Sequence, residues 1–74
     1  MTIRILINMD GGVIQSIRAD ENVEIYVADY DIEGTENDHP HLTRFDGDEC
    51  LLFRYDPDID PGPVNLAAKT WSMT

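Results

Sequence analysis

Positive charge is what this sequence has least of. Five Lys and Arg stand against fifteen Asp and Glu, a formal net charge of −10 at neutral pH over 74 residues. Such a chain repels phosphate backbones and anionic lipid, which argues against direct binding to nucleic acid or to a membrane surface and favours basic protein surfaces or cations. Cysteine is nearly absent too. Cys50 stands alone, so no intramolecular disulfide is available and a reducing, cytoplasmic location is expected. No apolar run approaches the ~20 residues of a membrane-spanning helix. Met1-Thr2-Ile3-Arg4 leads directly into strand-like sequence, without the apolar segment and small-residue cleavage site of a secretion signal.

What is present describes a folded chain. Hydrophobic residues make up 42% and charged residues 27%, a balance typical of globular proteins rather than disordered ones. The length predicts one domain, residues 1–74, because a chain this short has too much surface to divide into separately cored parts. A single core of that size supplies about 3–5 kcal/mol net, so a dimer or a larger partner is a natural source of further support.

Alternation with a period of two marks the first half. Ile3, Ile5 and Ile7 alternate with Thr2, Arg4, Leu6 and Asn8, which reads as a strand. Gly11-Gly12 permits the positive φ of a tight turn and precedes a second run from Val13 to Arg18, with Val13, Gln15 and Ile17 assigned to one face. Beyond Asp20-Glu21-Asn22, Val23, Ile25 and Val27 oppose Glu24, Tyr26, Ala28 and Tyr30. These three runs predict a meander from Thr2 to about Tyr30. Residues 31–41 lose both periodicities and predict an exposed loop.

A second hairpin is predicted from Leu42–Phe45, an Asp46-Gly47 type I′ turn, and Asp48–Tyr55. Asp56 to Pro63 reads as a proline-broken acidic connector. After it Val64, Ala67, Ala68 and Trp71 form one stripe of a two-turn helix, with Pro63 in its first turn and Trp71 expected to pack on the sheet. The predicted class is therefore α+β: a small antiparallel sheet of four or five strands, meander plus hairpin, with a short C-terminal helix. An all-β fold with an extended tail is the alternative.

Few residue patterns suggest chemistry. Asp56, Asp58 and Asp60 alternate like the opening of a calcium loop, yet the glycine comes one place late and Ala67 stands where the bidentate glutamate belongs, so they are only weak metal candidates. His39 and His41 flank Pro40 beside Asp38, two imidazoles and a carboxylate without a second ligand pair to close a tetrahedral site. Cys50, among Leu51, Leu52 and Phe53, has the setting of a small buried hydrophobe rather than a nucleophile. Ser16 and Ser72 lack a nucleophile elbow, and Gly11-Gly12 is too short to cradle phosphate. No catalytic residue and no cofactor is predicted, and a non-enzymatic role is expected.

The acids are concentrated instead. Asp29, Asp31, Glu33, Glu36 and Asp38 surround Tyr30 in a ten-residue stretch, and Asp46, Asp48 and Glu49 follow at the second hairpin. If the fold gathers them, these residues and Tyr30 form a negative band able to engage a basic surface, as a phosphate track would. Solubility alone is the simpler account of the same charge.

The segments Gly11-Gly12-Val13-Ile14-Gln15-Ser16-Ile17 and Val27-Ala28-Asp29-Tyr30-Asp31-Ile32-Glu33-Gly34 resemble small acidic accessory proteins of bacterial plasmids, phages and integrated elements. The resemblance covers roughly the first half of the chain and implies a mobile-element setting, where small acidic proteins sometimes inhibit host enzymes by mimicking DNA. It implies no role for any single residue. Arg4, Arg18, Arg44 and Arg54 interrupt the strands and break a uniformly negative surface. The expected function is thus a non-enzymatic acidic protein-interaction module that binds a basic protein surface, the DNA-mimic form of which would inhibit or regulate a nucleic-acid-binding protein. The alternatives are a structural or regulatory homodimer joined through a sheet edge or apolar face, and a weak divalent-cation-binding module on Asp56, Asp58 and Asp60.

Overall fold

A computed structural model, described over residues 2–74, places strands at Ile5–Asp10 (β1), Val13–Ala19 (β2), Ile25–Asp29 (β3), Leu42–Phe45 (β4), Asp48–Tyr55 (β5) and Asp58–Ile59 (β6), and a helix at Pro61–Ser72 (α1). The class is α+β, as the sequence predicts. The pairing differs from the predicted meander. Two three-stranded sheets form, ordered β1-β2-β6 and β3-β5-β4, and the chain gathers into two compact units: the residues up to Glu24 together with Asp56–Thr74, and Ile25–Tyr55.

In the first unit, Gly11 and Gly12 adopt φ of 58° and 79°, the two left-handed positions of a type I′ turn, and join β1 to β2 in an antiparallel hairpin. Ile5 lies opposite Ala19 and Ile7 opposite Ile17, so these four share one face. Leu6 lies opposite Arg18 and Asn8 opposite Ser16 on the other. The register shifts between Asn8 and Met9, pairing Met9 with Ile14 and leaving Gln15 as the extra residue of a bulge. Ile14, rather than Val13 or Gln15, therefore continues the face of Ile17, which corrects the assignment made from strict alternation.

The far edge of β2 is taken by β6, not β3. The pairing is parallel, with Arg18 opposite Asp58 and Ala19 opposite Ile59. Two residues suffice because Asp60 N–H also donates to the Ala19 carbonyl at 3.1 Å. Asp60 then caps α1: its backbone is extended and its carboxylate accepts from Gly62 N–H at 3.3 Å. Pro61 occupies the first helical position, where its missing N–H costs nothing.

α1 runs three turns instead of two, and Lys69 in its last turn complements the helix dipole. Val64 is buried, and Ala67 and Ala68 half-buried. Trp71 does not pack on the sheet as expected: it is 81% exposed. Arg4 ties the first turns of α1 to the hairpin by donating to Asn65 Oδ1.

In the second unit β5 is central, antiparallel to both neighbours. Asp46 and Gly47 adopt φ of 53° and 89°, the predicted type I′ turn, and Arg44 donates to the Gly47 carbonyl at 2.8 Å. Cys50 is wholly buried within β5. β3 and β4 flank β5, so residues 30–41 must cross it. They do so as successive turns, closed by Thr35 N–H to Ile32 O, His39 N–H to Glu36 O and Leu42 N–H to His39 O. His41 fastens the crossover to β5. Its carbonyl accepts from Leu52 N–H at 3.0 Å, its Nδ1 lies 3.1 Å from the Leu52 carbonyl, and its ring sits 4.6 Å from that of Phe53.

No helix among the described residues is long and apolar enough to cross a membrane.

Candidate protein-interaction surface

Strand register decides which acids meet. β3 runs antiparallel to β5 and ends with Asp29 opposite Leu51. The continuation of β3, Tyr30 and Asp31, therefore heads toward the start of β5, where Asp48 and Glu49 stand, and toward the Asp46-Gly47 turn. The sequence separates these groups by some fifteen residues or more; the sheet sets them at one end.

Tyr30 reports this convergence. Its phenol is held above the ordinary value of 10.0, first by desolvation, then by electrostatic interaction with Cys50, Asp46 and Asp48. Charge acts on a phenol in this way only at short range, since a surface interaction fades beyond about 10 Å at 0.1 M salt. Tyr30 is still 50% exposed, which leaves its ring available for contact. Asp29 is half-buried and turns the chain by accepting from Asp31 N–H at 3.0 Å.

One cation borders the group. Arg44 approaches Glu49 at 3.9 Å with both side chains largely exposed, a loose pair of little energetic weight. Asp29, Asp31, Asp46, Asp48 and Glu49 thus stand toward this sheet end, where Arg44–Glu49 is the ion pair found among the described residues. Phe45, opposite Asp48 and 48% exposed, adds an apolar ring that the sequence reading did not select. The signal was its place directly before the Asp-Gly turn.

Glu33, Glu36 and Asp38 are exposed in the crossover. Among the described residues no hydrogen bond or ion pair ties their carboxylates to the sheet end, so they border the cluster without being fixed to it. Tyr26 is 60% exposed and Tyr55 half-buried.

The metal candidates are not gathered. Asp58 lies in β6 opposite Arg18, and Asp60 is engaged as the helix cap. His39 Nδ1 accepts from His41 N–H at 3.1 Å, while His41 Nδ1 is directed to the Leu52 carbonyl. Among the described residues no three His, Cys, Asp or Glu side chains come together as a metal-holding group.

Compared with protein-family models, curated proteins and solved structures, the chain matches none.

Proposed function

We propose that this chain is a non-enzymatic, cytoplasmic interaction module that presents the acidic end of the β3-β5-β4 sheet to a basic protein surface, in the manner of a DNA mimic acting on a nucleic-acid-binding protein. The observation that carries this reading is the register of β3 on β5, which directs Tyr30 and Asp31 toward Asp48, Glu49 and the Asp46-Gly47 turn. Carboxylates grouped around exposed aromatic rings give a partner both a charge to meet and apolar area to cover. The net charge of −10 steers a basic partner toward the chain and repels competing anions. A mobile-element setting, expected from residues 11–17 and 27–34 and met by no match in the comparisons, would add host enzymes that handle DNA to the partners worth testing.

The test is capture from a nuclease-treated bacterial lysate on the immobilised protein, followed by a salt gradient. The expected result is retention of a basic nucleic-acid-binding protein at low salt, its release as the screening length falls from about 10 Å at 0.1 M to about 3 Å at 1 M, and its loss with the D31N/D48N/E49Q variant. Retention unaffected by that variant would refute the reading.

A second reading rests on β1. It is an edge strand, and Ile5, Ile7 and Met9 are 46%, 44% and 60% exposed. An unpaired edge with apolar side chains supports homodimerisation, the charge then serving solubility. Such a dimer holds or tightens as salt rises, opposite to the electrostatic complex.

A further inference from the structure

The first unit carries a groove of about 490 Å³ between α1 and the Leu6 and Arg18 side of the β1–β2 hairpin. Its walls are mainly apolar: Leu6 on the sheet, Pro63, Leu66 and Ala67 along the helix, and Trp71 at the helix end. Leu66 and Trp71 are 65% and 81% exposed, an unusual amount of large apolar surface to leave in water along one helix face.

The groove has a charge opposite to that of the chain. Arg18 lines it, and although fifteen acids are present in the sequence, no Asp or Glu does. Among the described residues Arg18 has no ion pair and no side-chain hydrogen bond, whereas Arg4 is held by Asp20 and Arg44 approaches Glu49. The other polar liners are engaged: the Asn8 amide donates to Ser16 Oγ at 2.8 Å, the Thr70 hydroxyl to the Leu66 carbonyl at 2.8 Å, and the Thr74 hydroxyl to the Trp71 carbonyl at 2.6 Å. A half-buried arginine with its donor fork free, beside apolar walls, matches a carboxylate attached to an apolar body.

We propose that this groove binds a small amphipathic monocarboxylate, its carboxylate on Arg18 and its apolar body along Leu66, Ala67 and Trp71. Three charges oppose an anion here: the net charge of the chain, the negative C-terminal end of α1, and Asp58, which pairs with Arg18 across β2 and β6 although it does not line the groove. The first two act at a distance that salt screens, and among the described residues Asp58 forms no ion pair with Arg18, which leaves the guanidinium open to a direct contact. The helix end also sets the orientation, because the carboxylate is repelled from it and the apolar body is not. The site is separate from the acidic sheet end and does not depend on the function proposed for it.

Trp71 is the single tryptophan of the chain, so tryptophan emission, excited beyond the tyrosine absorption band, reads this groove alone. Decanoate, decanol and decyltrimethylammonium are titrated below their micelle concentrations. The expected result is a saturable change in Trp71 emission with decanoate, about ten-fold tighter than with decanol, the difference that one charge-assisted contact supplies. R18M brings decanoate down to the affinity of decanol and leaves decanol unchanged; R18K retains part of the preference. Decanoate binding no tighter than decanol, or a preference that survives in a folded R18M protein, overturns the proposal. Should R18M fail to fold, amide shift mapping on the unaltered protein decides: changes centred on Leu6, Arg18, Leu66 and Trp71 support the groove, and changes centred elsewhere refute it.

Discussion

Arg4 and Asp20 hold each other at three points. Arg4 N–H donates to Asp20 Oδ1 at 3.0 Å, Arg4 Nε donates to Oδ2 at 2.8 Å, and Asp20 N–H returns to the Arg4 carbonyl at 3.2 Å. The contact closes the open end of the β1–β2 hairpin. The Arg4 side-chain hydrogen bond, followed by the bond from its backbone, lowers the Asp20 carboxyl below its ordinary 3.8. A carboxyl with a depressed folded value contributes stability that is present above the unfolded value and lost as pH falls through the folded one. Melting followed from about pH 5 to about pH 2 should show the difference between the native chain and D20N shrinking as pH drops below the ordinary carboxylate range, with D20N the less stable at neutral pH.

The phenol of Tyr30 offers a direct check on the acidic cluster. In a Y26F/Y55F background, phenolate absorbance should rise at a pH above the ordinary tyrosine value. D46N/D48N should move the transition downward without returning it fully, because burial is the larger cause. A titration unchanged by D46N/D48N would place those carboxylates away from the ring. Asparagine is the suitable replacement at 46, since it tolerates the left-handed backbone there.

That backbone yields a separate prediction for stability. Gly47 at φ 89° and Asp46 at φ 53° define a turn whose handedness matches the twist of β4 and β5. Gly47→Ala should cost about 1–2 kcal/mol in urea unfolding, and Asp46→Val should be worse than Asp46→Asn.

Burial on α1 separates two residues that share a stripe in the sequence. Val64 is 3% exposed and Trp71 81%. Val64→Ala should cost about 2 kcal/mol, whereas Trp71→Ala should change stability little despite removing the largest side chain of the helix. Equal losses would mean that Trp71 packs after all.

What was legible in the sequence was local. The two type I′ turns could be read from Gly11-Gly12 and Asp46-Gly47 because both positions demand positive φ, and β4 and β5 have the predicted bounds. Pairing was less legible. Adjacent runs are expected to pair as neighbours, yet β2 gives its second edge to Asp58 and Ile59, a strand too short to show any alternation. The bulge at Gln15 leaves no compositional trace, so period two carried Val13 to the wrong face. Trp71 fits a helical stripe by spacing, but spacing says nothing about which part of the stripe the sheet reaches. The candidate site was half visible: the acids stand out as composition, while their meeting at one sheet end follows from Asp29 pairing with Leu51, a long-range register. The groove beside Arg18 could not be read at all, since its walls come from opposite ends of the chain.

The pairing of Ile25 with Tyr55 bears on the order in which the chain organises itself. β2 and β6 are separated by about forty residues, and bringing Arg18 to Asp58 across a flexible span of that length carries a large closure entropy. Once Ile25 and Tyr55 are joined, the span shortens to about ten residues, which lowers the closure cost by about 1 kcal/mol. The three-stranded insert can therefore act as a clasp, holding the two ends of the span close enough for β6 and the helix behind it to reach the β1–β2 hairpin at a lower entropic cost.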